Sequence, residues 1–226
     1  MFRVYSSLLI FCLSFGWVTT GIAETPFVEG KHYQRLTTER VSNVEVQRFL
    51  AEHPNTVEVI EFFNYGCAAC KWIHPAMASW YAKKPEFVKV MRVPLVFNQK
   101  WETLAKAYFV VTSLAQDQKL DAKIFEAIHD KKIDLSNQET LEKFFFEQGI
   151  PAKDFSNLFN SFEVNNQLMQ AKALANAYQV ALSPVFIVNG PTASYWVTPK
   201  MVQNQAELVS IIDDLVSRES KSFAGA

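Results

Sequence analysis

Two cysteines, Cys67 and Cys70, lie in the stretch Glu61–Pro75, which reads EFFNYGCAACKWIHP. Thiols separated only by Ala68 and Ala69 could form a structural staple, half of a metal site, or a redox reagent. A disulfide between them closes so small a loop that it removes little entropy from the unfolded chain, which makes it a poor staple. Structural zinc takes four Cys or His ligands, usually as two spaced pairs, and the chain contains no second CxxC. His74 follows Cys70 by four residues on the same helical face, so a partial metal site with His32, His53 or His129 stays open. Covalent haem attachment needs His directly after the second cysteine, where Lys71 stands. Iron–sulfur clusters need more thiolates than are present. The redox reading fits the local physics. A strand running into a short turn and then a helix puts Cys67 at the helix N-terminus, where unpaired N–H groups and the dipole favour a thiolate. Such a thiol attacks disulfides, and Cys70, about one turn on, is placed to resolve the mixed disulfide.

The flanking elements follow from pattern. After a short extended start (KHYQRL), Ser42-Asn-Val-Glu45 reads as a capping box opening a helix to about Glu52, ended by His53-Pro54-Asn55. TVEVIEFF, 56–63, reads as a buried strand. The helix that starts at the cysteines runs to about Ala82 and ends before Lys84-Pro85, and VKVMRVPLVF is the next strand. From about Asn98 to Gln179 the periodicity is helical. Ser136-Asn-Gln-Glu139 reads as a second capping box, with a stop at Gly149 and Pro151 beyond. The Phe144–Phe146 run and Phe155, Leu158, Phe159 and Phe162 are expected in the core, a face lining a peptide groove being the other reading. A long Ala-rich helix is expected from about Val164 to Tyr178. Ser183-Pro184 interrupts the pattern, VFIVNG and SYWVT read as a hairpin, and Asn204-Gln-Ala-Glu207 caps a last amphipathic helix. KSFAGA is expected to be a loose tail. A helical insert inside an α/β sheet domain explains this order best.

The chain has 226 residues, 49% of them hydrophobic, which is enough for a large apolar core without staples. A formal charge of −1 and the absence of long basic runs give no reason to expect nucleic acid as a partner. Residues 1–23 differ from the rest: Arg3, a long apolar run, then TGIAE with Gly21 and Ala23 as a small-x-small site. That is the layout of a secretory signal peptide cut after Ala23, an uncleaved membrane anchor being the other reading. Cleavage removes one of 22 basic residues and none of 23 acidic ones, so the charge becomes −2. It also removes Cys12 and leaves Cys67 and Cys70 in a compartment that tolerates disulfides.

Strand–CxxC–helix, a helical insert, and Ser-Pro before a hairpin together resemble the DsbA-like thiol:disulfide oxidoreductases of the bacterial envelope. EFF before the cysteines and FIVNG after Ser183-Pro184 are the most specific local features, and CKWIHP, with Pro75 five residues after Cys70, is similar to thioredoxin itself. The resemblance implies an α/β thioredoxin fold with an inserted all-helical domain. The divisions are then a signal peptide (1–23), a first thioredoxin-fold part (24–97), the helical insert (98–179) and a second thioredoxin-fold part (180–226). It implies Cys67 as nucleophile, Cys70 as resolving thiol and Pro184 as a cis-proline facing them. The Ser183 backbone would then pair with an extended substrate. Glu61 matches a buried acid beneath the disulfide, a proton acceptor for Cys70, with Arg92 as its candidate partner. His74 is expected on the surface or in the substrate groove. No cofactor is implied beyond the redox-active Cys67–Cys70 disulfide, and no metal.

One departure bears on mechanism. The family's usual active site is Cys-Pro-His-Cys, whereas Ala68 and Ala69 stand here and supply no imidazole to a neighbouring thiolate. Three functions follow. The first is a periplasmic oxidase that donates its disulfide to unfolded secreted proteins and is reoxidised by a quinone-linked membrane partner of DsbB type. The second is an isomerase or reductase kept reduced by a DsbD-type partner. The third is a thioredoxin-fold module that binds peptide or metal. Isomerases of this kind are usually dimers with an N-terminal domain, and Glu24–Arg40 is too short for one. That favours the oxidase, expected as a monomer.

Overall fold

The computed structural model describes residues 27–36 and 55–225. The leader, the cut after Ala23, Cys12 and the helix expected from Ser42 to Glu52 with its His53-Pro54 stop lie outside the described residues.

A five-stranded sheet runs in the order β1-β5-β4-β2-β3, from β1 (Gln34–Arg35), β2 (Val57–Phe63), β3 (Val88–Pro94), β4 (Val185–Asn189) and β5 (Ser194–Val197). β2 and β3 pair in parallel, from Val57 opposite Val88 to Phe63 opposite Pro94. Parallel neighbours need a crossover, and α1 (Ala68–Lys83) supplies it. β4 pairs antiparallel with both β2 and β5. Every residue of β2 is buried, so the strand lacks the alternation of a half-exposed one, and its two acids, Glu58 and Glu61, are buried with it. Val57, Val59 and Val88 pack with Ile73 and Met77 of α1 and with Ile211 and Leu215 of α7 (Gln205–Ser220). Ile60, Phe62 and Val93 belong to the core shared with the helices that follow.

Those helices lie between β3 and β4: α2 (Gln99–Ser113), α3 (Asp117–His129), α4 (Gln138–Glu147), α5 (Ala152–Phe159) and α6 (Phe162–Ala177). The fold is thus a thioredoxin fold with a helical insertion. Capping chemistry sets the starts: Asn98 accepts from the Trp101 N–H at 3.0 Å and Ser161 from the Val164 N–H at 3.1 Å. The second expected box is displaced by one residue. Asn137, not Ser136, caps α4, taking the N–H groups of Glu139 and Thr140 at 2.9 and 3.3 Å. An Asn side chain at that position reaches the first free donors, while Ser136 hydrogen-bonds Asp134 instead. Gly149 stops α4 at φ +89, a left-handed backbone that glycine adopts without a Cβ penalty.

Two expectations about the core fail. Phe146 is 63% exposed and Phe162 is 85% exposed. In a run of three, consecutive residues turn about 100° on a helix, so one must leave the buried stripe; Phe162 opens α6 at its solvent end. The tail is not loose either: Lys221–Gly225 forms a 3₁₀ turn, and the Phe223 ring meets Phe87 at 5.7 Å.

The end of α7 also holds the β4–β5 turn. Buried Glu219 accepts from the Thr192 N–H and hydroxyl at 2.8 Å and from the Tyr195 hydroxyl at 2.6 Å. Gly190 is required here by space, since a Cβ on it would stand 2.2 Å from Glu219 Cγ.

Candidate active site

The loop between β2 and α1 is pinned on several sides. Asn64, fully buried, donates to the Leu95 carbonyl at 2.7 Å and the Trp101 carbonyl at 3.1 Å. Its own side-chain oxygen accepts the Gly66 N–H at 2.9 Å, and its carbonyl accepts the Cys67 N–H at 3.0 Å. Cys67 is the N-cap of α1 in extended conformation, and its sulfur accepts from the Cys70 N–H at 3.2 Å. The helix-end placement read from sequence is therefore present in detail. Cys67 is 8% exposed and Cys70 fully buried, both as free thiols. The Ser183–Pro184 peptide is cis. Ser183 lies 3.0 Å from Cys70 Sγ through its hydroxyl, and its carbonyl lies 3.6 Å from Cys67 Sγ.

This arrangement drives the two thiols apart. Cys67 is pulled from its ordinary 9.0 to about 6, above all by the hydrogen bond from the Cys70 thiol. Burial opposes the shift, and the Ser183 hydroxyl and the N–H groups of Cys70 and Ala69 reinforce it. Cys70 is pushed well above its ordinary value by burial first, then by its hydrogen bond to Cys67 and the charge there. One sulfur ionises near neutrality while the other keeps its proton. That is the division of labour between an attacking thiolate and a resolving thiol.

Glu61 lies in the same strand that delivers the cysteines, 2% exposed. It accepts from Arg92 Nε at 2.7 Å and from the Tyr81 hydroxyl at 2.8 Å. Arg92 is its partner across the β2–β3 pair. The guanidinium also pairs through Nη1 with Asp121 of α3, and Asp121 accepts the Tyr65 hydroxyl. The Phe63 ring lies 4.2 Å from the guanidinium carbon. Burial by itself lowers the Arg92 pKa, but Glu61 and Asp121 more than offset it and hold it well above its ordinary value. Burial, and then the carboxylate each one touches, raises Tyr65 and Tyr81.

His74 sits where α1 meets the insert. It is half-buried against Phe125 of α3, ring centroids 5.0 Å apart, and burial lowers its pKa. One turn after Cys70 the insert covers part of the α1 surface. His32 accepts the Val28 N–H and His129 meets the Tyr65 carbonyl, so neither is gathered with the cysteines. Asp121, Tyr65 and Tyr81 were not singled out from sequence, and His129 was considered only as a possible metal ligand. The spacing Asp121, Phe125, His129, four residues each, puts them on one helix face and was the available signal.

A family model for DSBA-like thioredoxin domains matches residues 86–208. The chain belongs to this DsbA-like family. The thiol:disulfide interchange protein DsbA of Pseudomonas syringae pv. tomato is 29% identical over 223 residues, 99% of this chain and 98% of that protein. DsbA of Pseudomonas aeruginosa is 32% identical over 164 residues, 73% of this chain and 74% of that one. The crystal structure of P. aeruginosa DsbA superposes with a TM-score of 0.75 at 28% identity, covering 88% of this chain and 97% of that one. This DsbA-like chain is a thiol:disulfide oxidoreductase, of a family whose members act with substrates and redox partners.

Proposed function

We propose that the protein introduces disulfides into unfolded secreted polypeptides in the periplasm. The observation that carries this reading is the polarised thiol pair, Cys67 near the surface and Cys70 beneath it, with Ser183 touching both. In the oxidised form a substrate thiolate attacks Cys67 Sγ. A substrate–Cys67 disulfide forms as the Cys67–Cys70 bond breaks, and Cys70 leaves and takes up a proton. A second substrate thiolate then attacks the substrate sulfur of the mixed disulfide, and Cys67 leaves as the stabilised thiolate. The substrate loses two electrons and two protons, and a quinone-linked membrane oxidant of DsbB type removes the electrons from the reduced pair. We assign Glu61 to proton exchange with Cys70, and Ser183-Pro184 to pairing with the extended substrate backbone. Exposed Trp72 and Phe97 suit apolar stretches of unfolded chains. Among the described residues no helix is long and apolar enough to cross a membrane; export with cleavage after Ala23 and a monomeric state complete the reading.

Two thiol variants test it. Cys70→Ser should accumulate mixed disulfides with substrate and Cys67→Ser should not; equal trapping by both overturns the assignment. Acid-quenched cells should hold the pair mostly oxidised. A mostly reduced pair would favour an isomerase or reductase coupled to a DsbD-type donor, a reading supported by the missing imidazole between the cysteines.

A further inference from the structure

Tyr65, two residues before Cys67, is answered at three points by a single helix of the insert. Its hydroxyl donates to Asp121, its ring meets Phe125 edge-on at 5.1 Å, and its carbonyl lies 2.8 Å from His129 Nε2. Residues spaced by four share one helix face, and 121 to 129 spans roughly 12 Å along the axis. The His129 ring is in turn stacked on Phe125, centroids 6.2 Å apart, which fixes its direction. A neighbouring contact ties the same helix end to the redox helix, through the ion pair between Lys71 and Asp130.

We propose that His129 is a positioning residue for the nucleophile: its Nε2–H, donated to the Tyr65 carbonyl, fixes the loop that presents Cys67 to the N–H groups of α1. The inference rests on Cys67 being the attacking thiol. Tyr65 is buried, so its carbonyl needs a donor, and an unpaired one costs as much as a lost hydrogen bond. The Tyr65–Gly66 peptide leads directly into Cys67, whose sulfur depends on alignment with the Cys70 N–H. A loop allowed to turn toward water at Tyr65 loses that alignment. The bond requires a proton on Nε2 and not a charge on the ring, so the neutral imidazole serves.

The test uses the full chain, reduced, with the pH dependence of Cys67 alkylation by iodoacetamide and the thermal unfolding of both redox forms. His129→Phe keeps the ring packing and lacks the N–H; His129→Gln restores an N–H near the Nε2 position. His129→Phe should raise the alkylation midpoint by about one pH unit and slow the reaction at pH 6 about fivefold, and His129→Gln should stay within about twofold of the parent. Should the Phe variant not fold, His129→Ala gives the same comparison. A midpoint unchanged in His129→Phe, with both redox forms destabilised equally, makes His129 a packing residue and overturns the proposal. So does a Gln variant as slow as the Phe variant. A parent whose Cys67 titrates like a free thiol overturns the functional reading instead, and this one with it.

Discussion

Glu61 and Glu219 are both carboxylates buried in the sheet domain, and their surroundings differ in kind. Glu219 is satisfied by neutral donors, the Thr192 N–H and hydroxyl and the Tyr195 hydroxyl, and it closes a turn. Glu61 faces a buried guanidinium that it shares with Asp121, in a cluster that continues through Tyr65 toward the nucleophile's loop. A buried charge met by neutral hydrogen bonds holds a shape. A buried charge met by a countercharge between two parts of the fold can hold a shape and also set the field near a reacting group. Glu219 should therefore matter to stability alone, and the Arg92 cluster to stability and chemistry together.

The strongest way to break this contrast is Arg92→Met. It leaves Glu61 and Asp121 buried without a countercharge and should cost about 3–5 kcal/mol in urea unfolding; a loss below that of Glu219→Ala would show the cluster to be solvated. Glu219→Ala should cost about 2–3 kcal/mol by stranding its buried donors, with an unchanged Cys67 midpoint and reduction potential. A shifted potential would erase the distinction between the two regions. Gly190→Ala attacks the same clamp from the other side, since the added Cβ displaces Glu219, and should cost about 1–3 kcal/mol.

Smaller effects sharpen the chemical side. The folded Cys67 pKa, about 6, lies below its ordinary 9.0. Its contribution to the reduced form is then fully present above about pH 9, declines as pH falls, and is lost below about pH 6. The stability of reduced protein relative to oxidised should rise across that window and fall above about pH 9, where Cys70, held well above its ordinary value, keeps a proton that the unfolded chain gives up; a flat difference would mean that the thiolate is not stabilised. Replacing Ala68-Ala69 by Pro-His supplies an imidazole beside the thiolate. Stabilisation on the order of 1 kcal/mol raises the potential by roughly 20–30 mV against glutathione. An unchanged or lower potential would leave Ser183 and the helix end in charge of the poise.

Much of this was legible in the sequence because it is local. The strand run TVEVIEFF, the N-terminal cysteine of α1, the cap at Asn204 and the stop at Gly149 are set by residues within a few positions of one another. The order of such segments implied an α/β sheet domain with a helical insert, and the resemblance to the DsbA-like family supplied the thioredoxin frame. What the sequence hid is long-range. The Glu61–Arg92 pair was accessible through strand adjacency, but nothing local announces that Asp121 turns toward Arg92 or that His129 reaches the Tyr65 carbonyl. Cys67 shows the same limit: the helix N-terminus was visible, yet the largest influence on its ionisation is the neighbouring Cys70 thiol. The placement of His74 against Phe125 depends on where the insert docks, and Phe162 on how α6 begins.

The position of Ser183 in the chain has a consequence for the order of events during synthesis. Its hydroxyl meets Cys70 from 113 residues downstream, with all five helices of the insert in between. As the chain emerges, Cys67 and Cys70 are exposed on a sheet whose β4 has not yet been made. One of the groups that stabilise the Cys67 thiolate arrives only with residue 183. The half-made protein thus carries a less reactive thiol than the finished one. Full reactivity begins only once the last fifth of the chain has joined the sheet.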